Sequence, residues 1–267
     1  MCSSDLSRST TTCLTVSVSC RQAVEAMPPA LELLQVSKRF GPVAANRNVS
    51  LSIAPGSIHG IVGENGAGKS TLMSILFGER APDSGEVRVH GGKVEFRSSR
   101  DALAAGIGMV HQHFMLIEAM SVLDNVLLGA EGGPLLAPGR AAMRKRLATL
   151  ALDYGLAIDP EAIIATLPVG LRQRVEILKA LTRDARIVVL DEPTAVLTPD
   201  EAGDLFRLMR RLRDRGVSIL FSTHKLREIF AVTDRVSVMR QGEIVGDFET
   251  VQTDRKSTRL NSSHIPL

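Results

Sequence analysis

Tryptophan is absent from this chain and tyrosine occurs once, at Tyr154, so aromatic residues make up only 3%. Any core must therefore be aliphatic, built from Leu, Ile, Val and Ala. No charge-free apolar stretch reaches the roughly 18 residues of a membrane-spanning helix. Cysteine is missing beyond position 20: Cys2, Cys13 and Cys20 all sit in a Ser/Thr-rich beginning. That excludes a disulfide-built miniprotein and suits a reducing compartment. A dominant sign of charge is lacking as well. The 32 Lys and Arg against 29 Asp and Glu leave +3, too little to draw in nucleic acid by bulk electrostatics. What is there is ordinary for a globular protein: 267 residues, 44% hydrophobic and 23% charged. Wholly disordered and collagen-like chains are excluded, and the length allows one large domain or two small ones.

The two ends read differently from the middle. Cys2-Ser3-Ser4-Asp5-Leu6 is what one common sequencing-adapter end would encode, and residues 254–264 match the translation of its partner. The expectation is a non-native or disordered leader over 1–26, a natural portion over 27–253, and an adapter-derived tail over 254–267. Within the natural portion, short strands are predicted at Leu31–Val36 and Val49–Ile53 around Gly41-Pro42. Glu86–Val89 alternates like an exposed edge strand. Three short apolar runs, at 58–62, 186–190 and 217–221, read as buried parallel strands. Helices are expected over 69–76, through much of 120–181, and over 199–215, where Thr198, Pro199 and Glu201 form a start signal. Strands alternating with helices imply an α/β fold with a parallel sheet.

Gly63-Glu64-Asn65-Gly66-Ala67-Gly68-Lys69-Ser70-Thr71 fits G-x-x-x-x-G-K-[ST] and lies between a predicted buried strand and a predicted helix. Glycines let the main chain curl so that successive N–H groups face phosphate oxygens. The helix that follows presents its positive end to the same anion. Lys69 can reach the β- and γ-phosphates, and the Ser70 hydroxyl can ligand Mg²⁺. About 120 residues on, Val188-Val189-Leu190-Asp191-Glu192-Pro193 ends an apolar strand in an acid pair. That places carboxylates at the carboxyl edge of a parallel sheet, where ligands bind. Asp191 is the expected Mg²⁺ holder and Glu192 the group that polarises the attacking water. His224, at the end of the third buried run, is a candidate γ-phosphate donor. His111 and His113 lack a third ligand nearby and are not read as a metal site.

Together these motifs resemble the ATP-binding subunit of ABC transporters across residues 31–250. The resemblance implies a P-loop NTPase fold: a RecA-like parallel-sheet core, an antiparallel β subdomain and an α-helical signature subdomain. It also implies ATP and Mg²⁺ as cofactors and further site residues. Phe40 resembles the aromatic that stacks on adenine. Gln112, in Met109-Val110-His111-Gln112-His113-Phe114, resembles the glutamine that senses Mg²⁺ and water and couples to a membrane subunit. Leu167-Pro168-Val169-Gly170-Leu171-Arg172-Gln173-Arg174 resembles the signature motif, whose Gly170 N–H meets the ATP of a partner domain.

Two departures stand out. The usual signature begins Leu-Ser, whereas Pro168 brings neither hydroxyl nor N–H. Thr198 stands where the segment after the acid pair usually ends in Asp. The wording around Gln112 is similar to bacterial importers of nucleosides and simple sugars, and Leu-Pro-Val-Gly-Leu-Arg-Gln points to the nucleoside branch. Such importers carry two ATP-binding domains in one chain, so this one reads as the first with the second missing. The implied partners are two membrane permeases, the second ATP-binding domain and, indirectly, an extracytoplasmic solute-binding protein; no nucleic acid is expected. The implied location is the cytoplasmic face of the inner membrane. The rival readings are a ribosome-associated ABC ATPase and a weakly active regulatory nucleotide-binding domain. A long coiled coil, which would mark a DNA-repair relative, is missing between Lys69 and Gly170.

Overall fold

The structure, a computed structural model, describes residues 28–128, 136–156 and 158–250. The predicted leader, the adapter-like tail and all three cysteines lie outside the described residues. A hairpin opens the fold: β1 (Leu31–Phe40) turns at Gly41-Pro42 into β2 (Val43–Ile53). Both strands run further than their apolar cores suggest, because their distal halves stay paired while exposed. β4 (Ser84–Val89) and the short β5 (Gly92–Val94) complete an antiparallel sheet in the order β2-β1-β4-β5. The sequence placed residues 86–89 at an edge. The structure corrects this: β4 pairs with β1 on one side and β5 on the other. Its alternation arises because one face packs on the core while the other meets solvent.

The second sheet runs β10-β9-β3-β8-β7-β6. Its strands are β3 (Ile58–Val62), β6 (Ile107–Val110), β7 (Ile187–Leu190), β8 (Ser218–Thr223), β9 (Arg235–Arg240) and β10 (Glu243–Glu249). All neighbours pair in parallel except β10, which folds back antiparallel on β9. β3, β7 and β8 are buried along their whole length, the pattern of strands covered on both faces. Val188 and Leu190 point into one core with Ile219 and Phe221. Ile187 and Val189 point into the other with Leu220 and Ile61. The two-residue period of a strand thus feeds two aliphatic cores from one run.

Helices cover this sheet. They are α1 (Lys69–Leu76), α2 (Ser99–Ala104), α3 (Val122–Leu127), α4 (Leu136–Tyr154), α5 (Val169–Thr182), α6 (Pro199–Asp214) and α7 (Leu226–Val232). α6 starts with the predicted capping box: the Thr198 hydroxyl accepts from the Glu201 N–H, and the Glu201 carboxylate accepts from the Thr198 N–H at 3.0 Å. It buries Leu205, Leu208, Met209 and Leu212 along one stripe, as an amphipathic surface helix does. The sequence reading overlooked β6, which carries a glycine among four residues. Gly108 belongs there because a Cβ would stand 2.8 Å from the Ala180 Cβ of α5. The missing side chain lets the helix close on the strand. Among the described residues no helix is long and apolar enough to cross a membrane.

Candidate active site

The phosphate loop bridges the end of β3 and the start of α1. Gly66 (φ +82°) and Gly68 (φ +106°) take left-handed backbone that side-chain-bearing residues rarely adopt. A Cβ on Gly68 would come within 2.3 Å of the Ala45 carbonyl, and one on Gly63 within 2.3 Å of the Met239 carbonyl. The loop is therefore wedged between β2 and the end of β9. Asn46 on β2 fastens it further, its side-chain amide donating to the Gly68 carbonyl at 3.2 Å.

Lys69 is only 4% exposed. Its ammonium donates to the carbonyls of Gly63 (2.7 Å) and Glu64 (3.0 Å) and lies 3.4 Å from Glu192 Oε1. Two carbonyls and a carboxylate hold the amine at the mouth of the loop. The acid pair sits where β7 ends. One hydroxyl organises both members: Ser222 Oγ on β8 donates to Asp191 Oδ1 at 2.6 Å and accepts the Glu192 N–H at 2.9 Å. Glu192 itself takes φ +44°, a strained conformation for a residue with a side chain. His224 Nδ1 lies 3.3 Å from Glu192 Oε2. β8 runs between β3 and β7, so three adjacent strand ends deliver the lysine, the acids and the histidine to one place.

Above them opens a cleft of about 820 Å³. Asn65, Gly66, Gly68, Lys69, Ser70 and Thr71 line its floor, and Glu192 and Gln112 line it as well. The sequence reading thus brought together residues far apart in the chain that do share one cavity. Gly63 and Ala67 support the loop from behind, and Glu64 contributes its carbonyl to Lys69. Asp191 stands one residue behind Glu192 and is 6% exposed.

Two predicted residues lie elsewhere. Phe40 does not line the cleft: its ring faces the Arg80 guanidinium at 5.1 Å and the Lys38 ammonium at 5.9 Å. The wall beside it is made by Pro42, Val43 and Ala44. Gly170 is at the N-terminal end of α5, where its N–H donates to Glu201 Oε1 at 3.1 Å. The bonds from Thr198, then the one from Gly170, hold the Glu201 carboxyl below the usual carboxylate range. His111 pairs with Glu79 at 2.8 Å, an ordinary structural role.

The sequence reading missed Ser222, Asn46 and Arg47, the last a β2 residue that lines the cleft. Ser222 had a signal, two places before His224 at a strand end that meets the acid pair. Asn46 and Arg47 had none, since only the fold brings β2 against the loop.

The donor set suits magnesium. Ser70, which lines the cleft, offers a hydroxyl, Asp191 a carboxylate fixed through one oxygen, and Gln112 an amide. These are hard oxygen donors, and no cage of three or more His, Cys, Asp or Glu occurs among the described residues. Hard oxygen donors of this kind are the ones Mg²⁺ takes.

Comparison with known proteins places this arrangement. The family model described as "ABC transporter" matches residues 46–195. The glucose import ATP-binding protein TsgD13 of Haloferax volcanii is 46% identical, over 85% of this chain and 46% of its own length. The nucleoside import ATP-binding protein NupA of Lactococcus lactis subsp. cremoris is 47% identical, over 82% of this chain and 43% of its own. The chain thus spans less than half the length of these relatives. In three dimensions it is similar to a nucleotide-free ATP-binding cassette from an ABC transporter, with a TM-score of 0.75 at 26% identity, covering 83% of this chain and 91% of that one.

Proposed function

The chain belongs to the ABC transporter family of ATP-binding cassettes, and from that premise we propose that it hydrolyses ATP to power an importer of nucleosides or simple sugars. The observation that carries this reading is the contact of Lys69 with Glu192 on the floor of one cleft. It joins a phosphate cradle to a carboxylate that can act on water. The sugar and nucleoside importers to which the chain is similar favour this reading over a ribosome-associated or purely regulatory one.

The chemistry assigned to each residue follows from its place. The N–H groups of residues 64–71 and the Lys69 ammonium take up the charge of the β- and γ-phosphates. Ser70, Asp191 and Gln112 would hold Mg²⁺, which would supply positive charge to offset that of the phosphates. Glu192 orients water toward the γ-phosphorus and accepts its proton as the bond to the β-phosphate oxygen breaks, leaving ADP and phosphate. His224 donates to a γ-phosphate oxygen. Adenine stacking stays with Phe40 only if its ring leaves Arg80 and turns across Pro42; otherwise Val43 supplies the apolar wall.

Gly170 is the group that faces the nucleotide of a second cassette, which we place in the same chain of the full-length protein. Two permeases and, through them, an extracytoplasmic solute-binding protein complete the assembly at the cytoplasmic face of the inner membrane.

The test is uptake of radiolabelled solute by the full-length transporter carrying wild-type cassettes or Glu192→Gln. ATP-dependent uptake of a nucleoside or simple sugar that Glu192→Gln stops is the expected result. ATP hydrolysis unaltered by Glu192→Gln would defeat the assignment of the base, and no ATP-dependent uptake of either solute class would defeat the importer reading.

A further inference from the structure

Glu228, on α7, is nearly buried at 9% exposure, yet none of the chemistry above uses it. A buried carboxylate needs partners, and those of Glu228 are informative. Its Oε2 accepts two hydroxyl bonds, from Thr194 Oγ1 and from Thr223 Oγ1, each 2.7 Å long. Both threonines are 2% exposed. Thr194 comes two residues after Glu192, in the turn that leaves β7. Thr223 comes immediately before His224, as the last residue of β8.

The bonds close a ring. From Glu192 the chain leads to Thr194, a hydrogen bond to Glu228, a second to Thr223, the chain again to His224, and the 3.3 Å contact returns to Glu192. Lys225 braces the same ring: its N–H donates to Thr223 Oγ1 at 3.0 Å, its ammonium reaches the Thr194 carbonyl at 3.3 Å, and it lies 3.3 Å from Glu228 Oε1.

We propose that Glu228 is a positioning residue for hydrolysis, joining the turn that carries the Glu192 base to the strand end that carries His224. It does not line the cleft. It fixes the relative placement of two groups that arrive on different strands, one of them on strained backbone. A misplacement of about 1 Å in such a pair can cost on the order of 100-fold in rate, so a carboxylate joining the two segments through their threonine hydroxyls acts on kcat rather than on affinity. The inference rests on the ATPase reading given above.

The test is single-turnover hydrolysis of radiolabelled Mg·ATP by the full chain in enzyme excess, which gives a limiting rate and a half-saturating concentration even where turnover is weak. Glu228→Ala is expected to lower the limiting rate by about 10-fold or more, with half-saturation within about 2-fold. Glu228→Gln keeps an oxygen acceptor for both hydroxyls and is expected to recover most of the rate. Thr194→Val removes one bond, leaves Glu228 in place, and should fall between the two. In a His224→Ala background Glu228→Ala should cost much less, because the ring is already open.

A second readout does not depend on turnover. The ring resonances of His224, identified by their loss in His224→Ala, should move in Glu228→Ala and return in Glu228→Gln. A limiting rate unchanged in Glu228→Ala would overturn the proposal. So would rate and affinity lost together, or a Gln variant as impaired as the Ala variant with His224 resonances unmoved. If the wild-type chain hydrolyses no ATP, the ATPase reading fails; if Glu192→Gln leaves hydrolysis intact, the assignment of the base fails; if Glu192→Gln stops it and Glu228→Ala does not slow it, only the ring fails.

Discussion

The floor of the cleft and the start of the signature helix are built in opposite ways. On the floor the charged groups are fixed by partners of their own chain: the Lys69 ammonium by two carbonyls and Glu192, the Asp191 carboxylate by Ser222, and the Glu192 carboxylate by Lys69 and His224, with its backbone N–H on Ser222. At the signature end, Pro168 stands as the N-cap of α5 without a side-chain bond, and the Gly170 N–H is occupied by Glu201. One region is organised by contacts within this chain. The other, which the proposal turns toward a second cassette, lacks a hydroxyl and holds its remaining N–H against a carboxylate. Preorganised groups are worth most where charge develops in the transition state. On the proposed function, the contrast predicts faster hydrolysis at the site whose floor this chain builds than at the site to which it lends its signature.

Four experiments sharpen or break this contrast. The largest effect is expected from Lys69→Ala, which removes the buried cation and leaves Glu192 facing phosphate unaided. ATP affinity, measured by calorimetry, should fall by about 100-fold or more; a loss under threefold would show that the floor does not depend on it. Next comes Glu192→Gln, which preserves shape and loses the base: hydrolysis should drop by about 10²–10⁴-fold while ATP binding stays within a few-fold.

At the other end, Pro168→Ser restores a hydroxyl and an N–H. The full-length protein should then hydrolyse ATP a few-fold faster, and no change would mean that this signature meets no nucleotide. The mildest effect belongs to His59, in β3 beneath the cradle. Its ring bonds Ser237 Oγ at 2.8 Å, and burial lowers its pKa from 6.5 to about 4. The unfolded chain therefore binds the extra proton first as pH falls. The stability that His59 contributes is complete above pH 6.5 and is lost as pH drops toward 4. Thermal melts across that window should show Tm falling with pH, and His59→Gln, which does not titrate, should flatten the dependence.

Much of the floor was legible because it is written in local pattern. The loop announces itself by glycine spacing, and β3, β7 and β8 by unbroken apolar runs too short for helices. Their order in the sheet then brings Lys69, Glu192 and His224 together without further information. α6 was legible from Thr198, Pro199 and Glu201 alone. What escaped notice depends on tertiary contact. Asn46 reaches the loop only because β2 lies against it. Glu201 also caps Gly170 only because α5 and α6 start side by side. Phe40 carries the right residue type at the right place in the chain, yet Arg80 draws its ring away, a contact no local spacing reveals. α7 is short and half exposed, so its pattern is weak, although its Glu228 bridges two strand ends.

The central claim is that the cradle around Lys69 and the acid pair at 191–192 act on one metal-bound triphosphate. The most direct measurement is a crystal structure of the chain with Mn²⁺ in place of Mg²⁺ and a non-hydrolysable ATP analogue, the cation located by its anomalous scattering. The account predicts one metal peak bonded to Ser70 Oγ and to β- and γ-phosphate oxygens, with Asp191 holding it directly or through a single water. Phosphates bound away from the loop, or a metal beyond reach of Asp191, would contradict it.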